Sequence, residues 1–485
     1  MRRLASDTLI YGLGSVANQA VAFLLLPLYT RYLSPADYGT LALIGAAGSV
    51  LGLVAALGIH SGITRVYFLY DAPDDRDAVV ATGLVFGIVT CVLTAAVLLL
   101  FADTLAPLLL DLPDGSRYVQ IAIVAYSLSA LGMVGLSILQ IHQRPRAYVT
   151  CSLAGLVTSI TLTIYMVAAA GRGVMGVLEG QLVGMIVQVS LSLLLSLPRL
   201  APRLRRRPLR EMLAFCVPLI PTNLAAWVLG LADRYALKEY GSFADVGLYS
   251  LGYRFGSIFE TLFMRPFSLA WSPYLFSILD QPGHREICAR VLEYYTVLGG
   301  AMVLAVGLLG DDIIRVIAAP AFFGAGKVIY WIGFGFLLRG STFITVTGIH
   351  VRQKTHYSSY AYGAGMVINL ALLVALVPRF GMMGAAFAVV ITYGAVSLAL
   401  WAIAQRIYPI PYRLGRVGAL LALLTGLYLV GVFAAPEPIL LRVPFKLACL
   451  AAFPALLLLG RFFTPEELAK ARALVAQWIP GRRPT

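Results

Sequence analysis

The sequence predicts an all-α integral membrane protein of about 14 transmembrane helices: two six-helix lobes related by parallel pseudo-two-fold symmetry, plus two extra C-terminal helices. Three observations predict it. First, the 485-residue chain is 60% hydrophobic and only 12% charged, where a soluble domain carries about 25% charged residues. Second, apolar stretches of about 20 residues recur along the whole length, enough for a helix to cross a bilayer; barrel strands are about 10 residues and alternate. Third, the chain repeats itself at an offset of 208 residues. IHQRPRAYVTCSLAG (141–155) returns as IHVRQKTHYSSYAYG (349–363), so Ile141, His142, Arg144 and Gly155 recur as Ile349, His350, Arg352 and Gly363. GVMG (173–176) returns as GMMG (381–384), and ADYG (36–39) as ADVG (244–247).

The spans read as 8–30, 38–57, 79–101, 119–140, 147–170, 174–197, 212–232, 246–277, 292–310, 325–349, 358–378, 381–405, 417–435 and 439–460. The eighth is too long for one straight crossing and holds Pro266 and Pro273, so it is expected to bend or run into the cytoplasm. Six spans per repeat is an even number, so both lobes enter the membrane in the same sense. The expected organisation is an N-lobe (1–197), a basic linker (198–211), a C-lobe (212–406), an appendage (407–461) and a cytoplasmic tail (462–485). In the tail, TPEELAKARALVAQW (464–478) reads as an amphipathic helix with Thr464 as N-cap, Pro465 first and Glu467 closing a capping box.

The net charge is +14. Its distribution argues against nucleic acid as a partner. With the N-terminus inside, most basic residues fall in cytoplasmic segments, above all in PRLAPRLRRRPLR (198–210). That is the positive-inside bias, and it puts both termini in the cytoplasm. The basic linker suits anionic lipid contact. Met1-Arg2-Arg3 before an apolar stretch resembles a signal peptide, but the stretch is long and lacks a small-residue cleavage site, so it reads as an uncleaved first span. The five cysteines are isolated and suggest no disulfide or metal motif. No P-loop or catalytic metal set is visible, so no cofactor is expected. The outer loops, 102–118 and 311–324 at the longest, leave no room for the catalytic domain of a polysaccharide polymerase or ligase.

A charge within a span costs about 2.5–3.5 kcal/mol on insertion scales, so each one needs a reason. Arg254 lies about 12 Å into the eighth span, too deep for easy snorkelling. It reads as a cavity-lining cation for an anionic headgroup, the alternative being an ion pair between helices. Arg265 is eleven residues on and nearly on the same face of a regular helix, but closer to the cytoplasmic boundary, where snorkelling explains it as well. Glu260 lies about 120° round and at neither i+3 nor i+4 from either arginine. Arg339 sits deep in the tenth span near Thr342 and Thr345. Glu260, Glu179 and Asp233 are candidates for carrying a coupling ion. Asn18 in the first span and Asn223 after PLIP (218–221) are neutral amides, cavity contacts or interhelical bonds. Arg31 and Arg234, each opening an RY pair, and Arg65 in GITRVYF (62–68) could guide an anion or anchor the interface.

TLIYGLGSVANQAVAFLLLPLYTRYLSPADYGTLAL (8–43) and PLIPTNLAAWVLGLADRYALKEYGSFADVGLYSLGYRFG (218–256) resemble the oligosaccharide (Wzx-type) flippases of the multidrug/oligosaccharidyl-lipid/polysaccharide exporter superfamily. DRY (233–235), ADVGLYS (244–250) and AWSP (270–273) carry the same likeness, which spans essentially the whole chain. The resemblance implies two bundles around a central cavity in a bacterial inner membrane. It implies flipping of an undecaprenyl-pyrophosphate-linked oligosaccharide, driven by an ion gradient or the membrane potential, beside polymerase and other assembly proteins. The related lipid II flippases have a basic residue on the eighth span facing the cavity, which Arg254 matches. Their first-span arginines have no mid-span match here, where Asn18 and Gln19 stand instead. A drug or cation exporter of the same superfamily is the nearest rival, and it would favour acidic over basic cavity residues.

Overall fold

A computed structural model of the chain describes residues 25–110, 112, 114–196, 204–460, 462–463 and 465. Residues 8–24 of the first expected span, with Asn18 and Gln19, and the tail helix beyond Pro465 lie outside the described residues. Every regular element among the described residues is a helix. They run α1 Leu26–Tyr32, α2 Pro35–Ala56, α3 Ile59–Tyr67, α4 Pro73–Leu100, α5 Ala102–Leu109, α6 Gly115–Ile141, α7 Pro145–Ile164 and α8 Gly173–Ser196. Then come α9 Arg206–Cys216, α10 Ile220–Tyr240, α11 Phe243–Gly256, a π turn Glu260–Met264, α12 Arg265–Ile278 and α13 His284–Ile317. The last are α14 Ile329–Thr345, α15 Thr347–Val351, α16 His356–Ile407, α17 Leu414–Phe433 and α18 Ile439–Leu459.

Among the described residues, 11 helical stretches are long and apolar enough to cross a membrane. One of them, α16, contains both the eleventh and the twelfth expected spans, kinked at Gly381, whose φ of 54° breaks the helical path. The eighth expected span is not among them because it is broken into α11, the π turn and α12. The chain is thus an all-helical, multi-pass membrane protein. Its outward faces agree with that: Leu93, Val97 and Leu100 on α4, and Leu440, Leu441 and Leu459 on α18, stand exposed, as side chains in contact with lipid would.

The repeated blocks build repeated local structures. Ser34 and Ser242 each cap a helix start, accepting from the backbone N–H of Asp37 and Asp245 at 3.1 Å, while those aspartates accept from the serine N–H in return. This reciprocal pair satisfies two otherwise orphaned donors. Gly173 and Gly381 share a positive φ, 53° and 54°, at the same 208-residue offset. The third block differs. Gln143 and Gln353 are the left-handed residues that end their helices, and the next N–H reaches back five residues, Arg144 to Leu139 O and Lys354 to Ile349 O. These are Schellman closures. By geometry Arg144 therefore corresponds to Lys354, so the turn lies two residues later in the second copy than the sequence alignment puts it.

The described residues form two compact units. One comprises Met1–Gly252, Ile314–Val328 and Thr355–Val396; the other comprises Tyr253–Ile313, Ile329–Lys354 and Ser397–Thr485. In the first, a core of Ile59, Ile63, Val79, Val80, Val134, Ile138 and Met212 joins α3, α4, α6 and α9. The same unit ties α10 and α11 to α2. Trp227 donates its indole N–H to Ala46 O and Ser49 Oγ, and Tyr235 donates to Leu43 O. Gly39 of α2 and Gly247 of α11 meet backbone to backbone: a Cβ on Gly39 would lie 1.9 Å from Phe243 O, and one on Gly247 1.9 Å from Pro35 O. No side chain can move to relieve such a clash. Gly39→Ala or Gly247→Ala is therefore expected to force the crossing apart and destabilise it by about 1–3 kcal/mol, as overpacking does. A thermal unfolding midpoint equal to wild type in detergent would refute this.

In the second unit, α17 and α18 dock on α13 and α14. The rings of Tyr330 and Tyr428 stack at 3.8 Å, Tyr330 Oη lies 3.0 Å from Thr425 Oγ1, and Leu424 fills the space beside Gly300. Lys446 of α18, 4% exposed, forms a 2.6 Å ion pair with Asp312 of α13, and Arg442 approaches the same carboxylate to 2.7 Å.

Candidate functional site

The break in the eighth span has a local cause. Pro266 has no N–H to continue the helical ladder, and just before it the backbone widens into a π turn, with Arg265 N–H bonded to Glu260 O. That extra residue changes which side chains meet. In a regular helix Glu260 pairs with neither arginine of its span. Through the π turn it faces Arg265 at i+5, with 3.4 Å between Oε1 and Nη2. Arg339 of α14 reaches the same Oε1 at 3.7 Å. One partly buried carboxylate thus sits between two guanidinium groups from two helices. Arg265 is exposed and Arg339 half-buried, lying 5.8 Å from the Phe336 ring. Arg254, half-buried near the end of α11, lies six residues before Glu260 in the same unit.

Behind the π turn, Phe259, Phe263, Phe267 and Trp271 follow at intervals of four and stack in succession with centroids 5.4, 6.3 and 6.1 Å apart. Tyr295 of α13 closes on Phe267 at 4.8 Å.

The other sequence candidates belong to the first unit or lie outside the described residues. Arg234 is 6% exposed and turned inward. Its guanidinium lies 2.8 Å from Asp233 and donates to Gly230 O, while Tyr249 Oη donates to Asp233 Oδ2 at 2.5 Å. Asp233, Arg234 and Tyr249 thereby bind α10 to α11. Glu179 pairs with Arg172 at 2.8 Å. Arg65 lies over the Phe215 ring at 4.5 Å, and Arg31 is exposed in the last turn of α1. Asn223 lines a cavity of about 550 Å³ in the first unit. Asn18 falls outside the described residues.

Sequence reading missed several buried charges. Glu293, in the N-terminal third of α13, is approached by Arg416 at 3.2 Å and Arg413 at 4.0 Å. Lys446 sits eight residues into its helix and was legible as a charge within a span; its partner Asp312, near the C-terminal end of α13, was not. Among the described residues no group of histidine, cysteine and carboxylate side chains could hold a metal ion.

Charged side chains gathered at a broken helix within a helical membrane bundle are an arrangement found in secondary transporters. Residues 28–322, more than half of the sequence, match the polysaccharide biosynthesis protein family, and the chain belongs to that family. A protein of the Lsg locus of Haemophilus influenzae is 21% identical over 417 residues, 81% of this chain and 98% of its own length. Among solved structures, the lipid II flippase MurJ in an inward closed conformation superposes with a TM-score of 0.75 at 14% identity, covering 94% of this chain and all of that one. An inward-facing multidrug resistance MATE family transporter of the MOP superfamily gives 0.64 at 15% identity over 83% of this chain and 95% of its own. The fold is that of these transporters.

Proposed function

We propose that the chain flips an undecaprenyl-pyrophosphate-linked oligosaccharide from the cytoplasmic to the outer leaflet of a bacterial inner membrane. The observation that carries this reading is the cluster at the π turn, where Arg265 and Arg339 share Glu260 in the unit that also holds Arg254. A pyrophosphate carries about two negative charges through a region of low dielectric, and guanidinium forks match its oxygens. Glu260 keeps the arginines in place without a ligand and is the carboxylate best situated to exchange them for a proton or sodium ion; Glu179 and Asp233 already have tight partners. In this reading the six-span repeats (1–197 and 212–406) move as lobes in alternating access, joined by the basic linker. The lipid tail stays in the bilayer beside the appended helices, both termini face the cytoplasm, and a polymerase takes up the product.

Depletion of the protein in its native host tests the proposal. Lipid-linked sugars are extracted, and a membrane-impermeant probe reports their leaflet. The expected result is accumulation of a pyrophosphate-linked oligosaccharide on the cytoplasmic side. Unchanged lipid-linked sugars with altered tolerance to cationic compounds would instead support a cation exporter.

A further inference from the structure

The 550 Å³ cavity in the first unit is walled by α2, α3, α6 and the start of α10. None of its lining residues carries a full charge, but six bring hydroxyl, imidazole or amide side chains: Ser49, His60, Ser61, Tyr126, Ser129 and Asn223. Ser49 donates to Ala46 O and accepts from Trp227; none of the other five is matched by a side-chain hydrogen bond among the described residues, and His60 Nδ1 is buried without a partner. Neighbouring Thr64, by contrast, bonds back to its own helix at His60 O. Polar groups left open inside a membrane protein cost free energy unless water or a ligand meets them. Burial holds the His60 imidazole below its ordinary pKa, so it offers one donor and one acceptor rather than a charge. Leu53, Met133 and Leu219 supply apolar wall between these groups.

We infer that this cavity is a subsite for one or two neutral sugar residues. The inference rests on the flippase reading and adds to it where the glycan, rather than the pyrophosphate, is held. Four features select a sugar. The volume lies within the range of small-ligand sites, about 300–1,000 Å³. Neutral hydroxyl, imidazole and amide groups suit ligand hydroxyls, which both donate and accept. The aliphatic wall and the Tyr126 ring suit the C–H faces of a pyranose. The lack of a carboxylate or cation in the lining removes the attraction for a cationic drug or a phosphate.

The test uses the purified full-length protein and two probes: lipid-linked oligosaccharide extracted from the native host, and undecaprenyl pyrophosphate with no sugar. Wild type is expected to bind the glycosylated lipid about tenfold or more tightly than the bare one, the worth of one or two neutral hydrogen bonds. Ser129→Leu, which fills the cavity, should erase that advantage and leave affinity for the bare lipid unchanged. Ser61→Ala, a smaller change that keeps the fold, should reduce the advantage several-fold. The bare lipid also serves as the folding control for both variants. A full advantage retained by both variants, or no advantage in wild type, overturns the subsite. Failure of wild type to bind either lipid overturns the flippase reading itself, and the subsite with it.

Discussion

Arg254→Ala is expected to abolish transport while the protein remains in the membrane at wild-type levels. Arg254 lies on α11 within two turns of Glu260, on the helix whose π turn gathers Arg265 and Arg339. If the cluster receives a pyrophosphate, removing one guanidinium deletes a charge-assisted, two-pronged contact in a poorly screened place. Truncating one member of such a pair costs about 2–5 kcal/mol, or roughly thirty- to several-thousand-fold in affinity. Because the side chain is half-buried, its loss opens no large cavity, and folding should survive. Arg254→Lys separates charge from geometry: an ammonium keeps the attraction but loses the planar fork, so partial activity is expected. The readout is the leaflet distribution of lipid-linked oligosaccharide in cells carrying each variant, with membrane abundance measured in parallel. Full activity of Arg254→Ala would remove this residue from the binding machinery and leave Arg265 and Arg339 to carry the reading.

The sequence made the architecture legible because the bilayer imposes a simple rule. Apolar runs of fixed length must be helices, and a charge within one must have a reason. The repeat was legible too, since ADYG and ADVG return as matching capping boxes and GVMG and GMMG as matching positive-φ glycines. The site was legible residue by residue but not as an assembly. Arg254, Glu260, Arg265 and Arg339 were all singled out, yet wheel arithmetic assumes 3.6 residues per turn. Pro266 marked the place where that assumption fails, but it did not reveal that the backbone would widen and bring Glu260 to Arg265. Long-range pairing was the other blind spot. Arg234 read as an outer anchor, and its inward turn onto Asp233 depends on Tyr249, sixteen residues away on the next helix. The cavity around Ser129 gives no local signal, because four separate segments meet there.

The buried charges of the appended helices lead to the second large effect. Asp312→Ala is expected to destabilise the protein by about 3–5 kcal/mol, because it leaves Lys446 buried without its carboxylate. Arg442 starts nearer the end of α18 and retains 17% side-chain exposure, so it can turn toward water; Lys446 has no such exit. The pair itself need not be a net source of stability, since desolvating two charges offsets most of their attraction. Its use is positional: of all registers in which the leucine-rich α18 could slide along α13, one brings Lys446 to Asp312. A paired replacement separates these contributions. Asp312→Leu combined with Lys446→Met should recover most of the thermal stability lost in Asp312→Ala, with the coupling read from the double-mutant cycle in detergent. If the cluster fixes the register, the recovered double variant should still transport poorly, because α17 and α18 would no longer be held in one place against α13 and α14. A double variant restored in both stability and transport would reduce the cluster to a tolerated polar contact, and the stacked rings of Tyr330 and Tyr428 would then be sufficient to position the appendage.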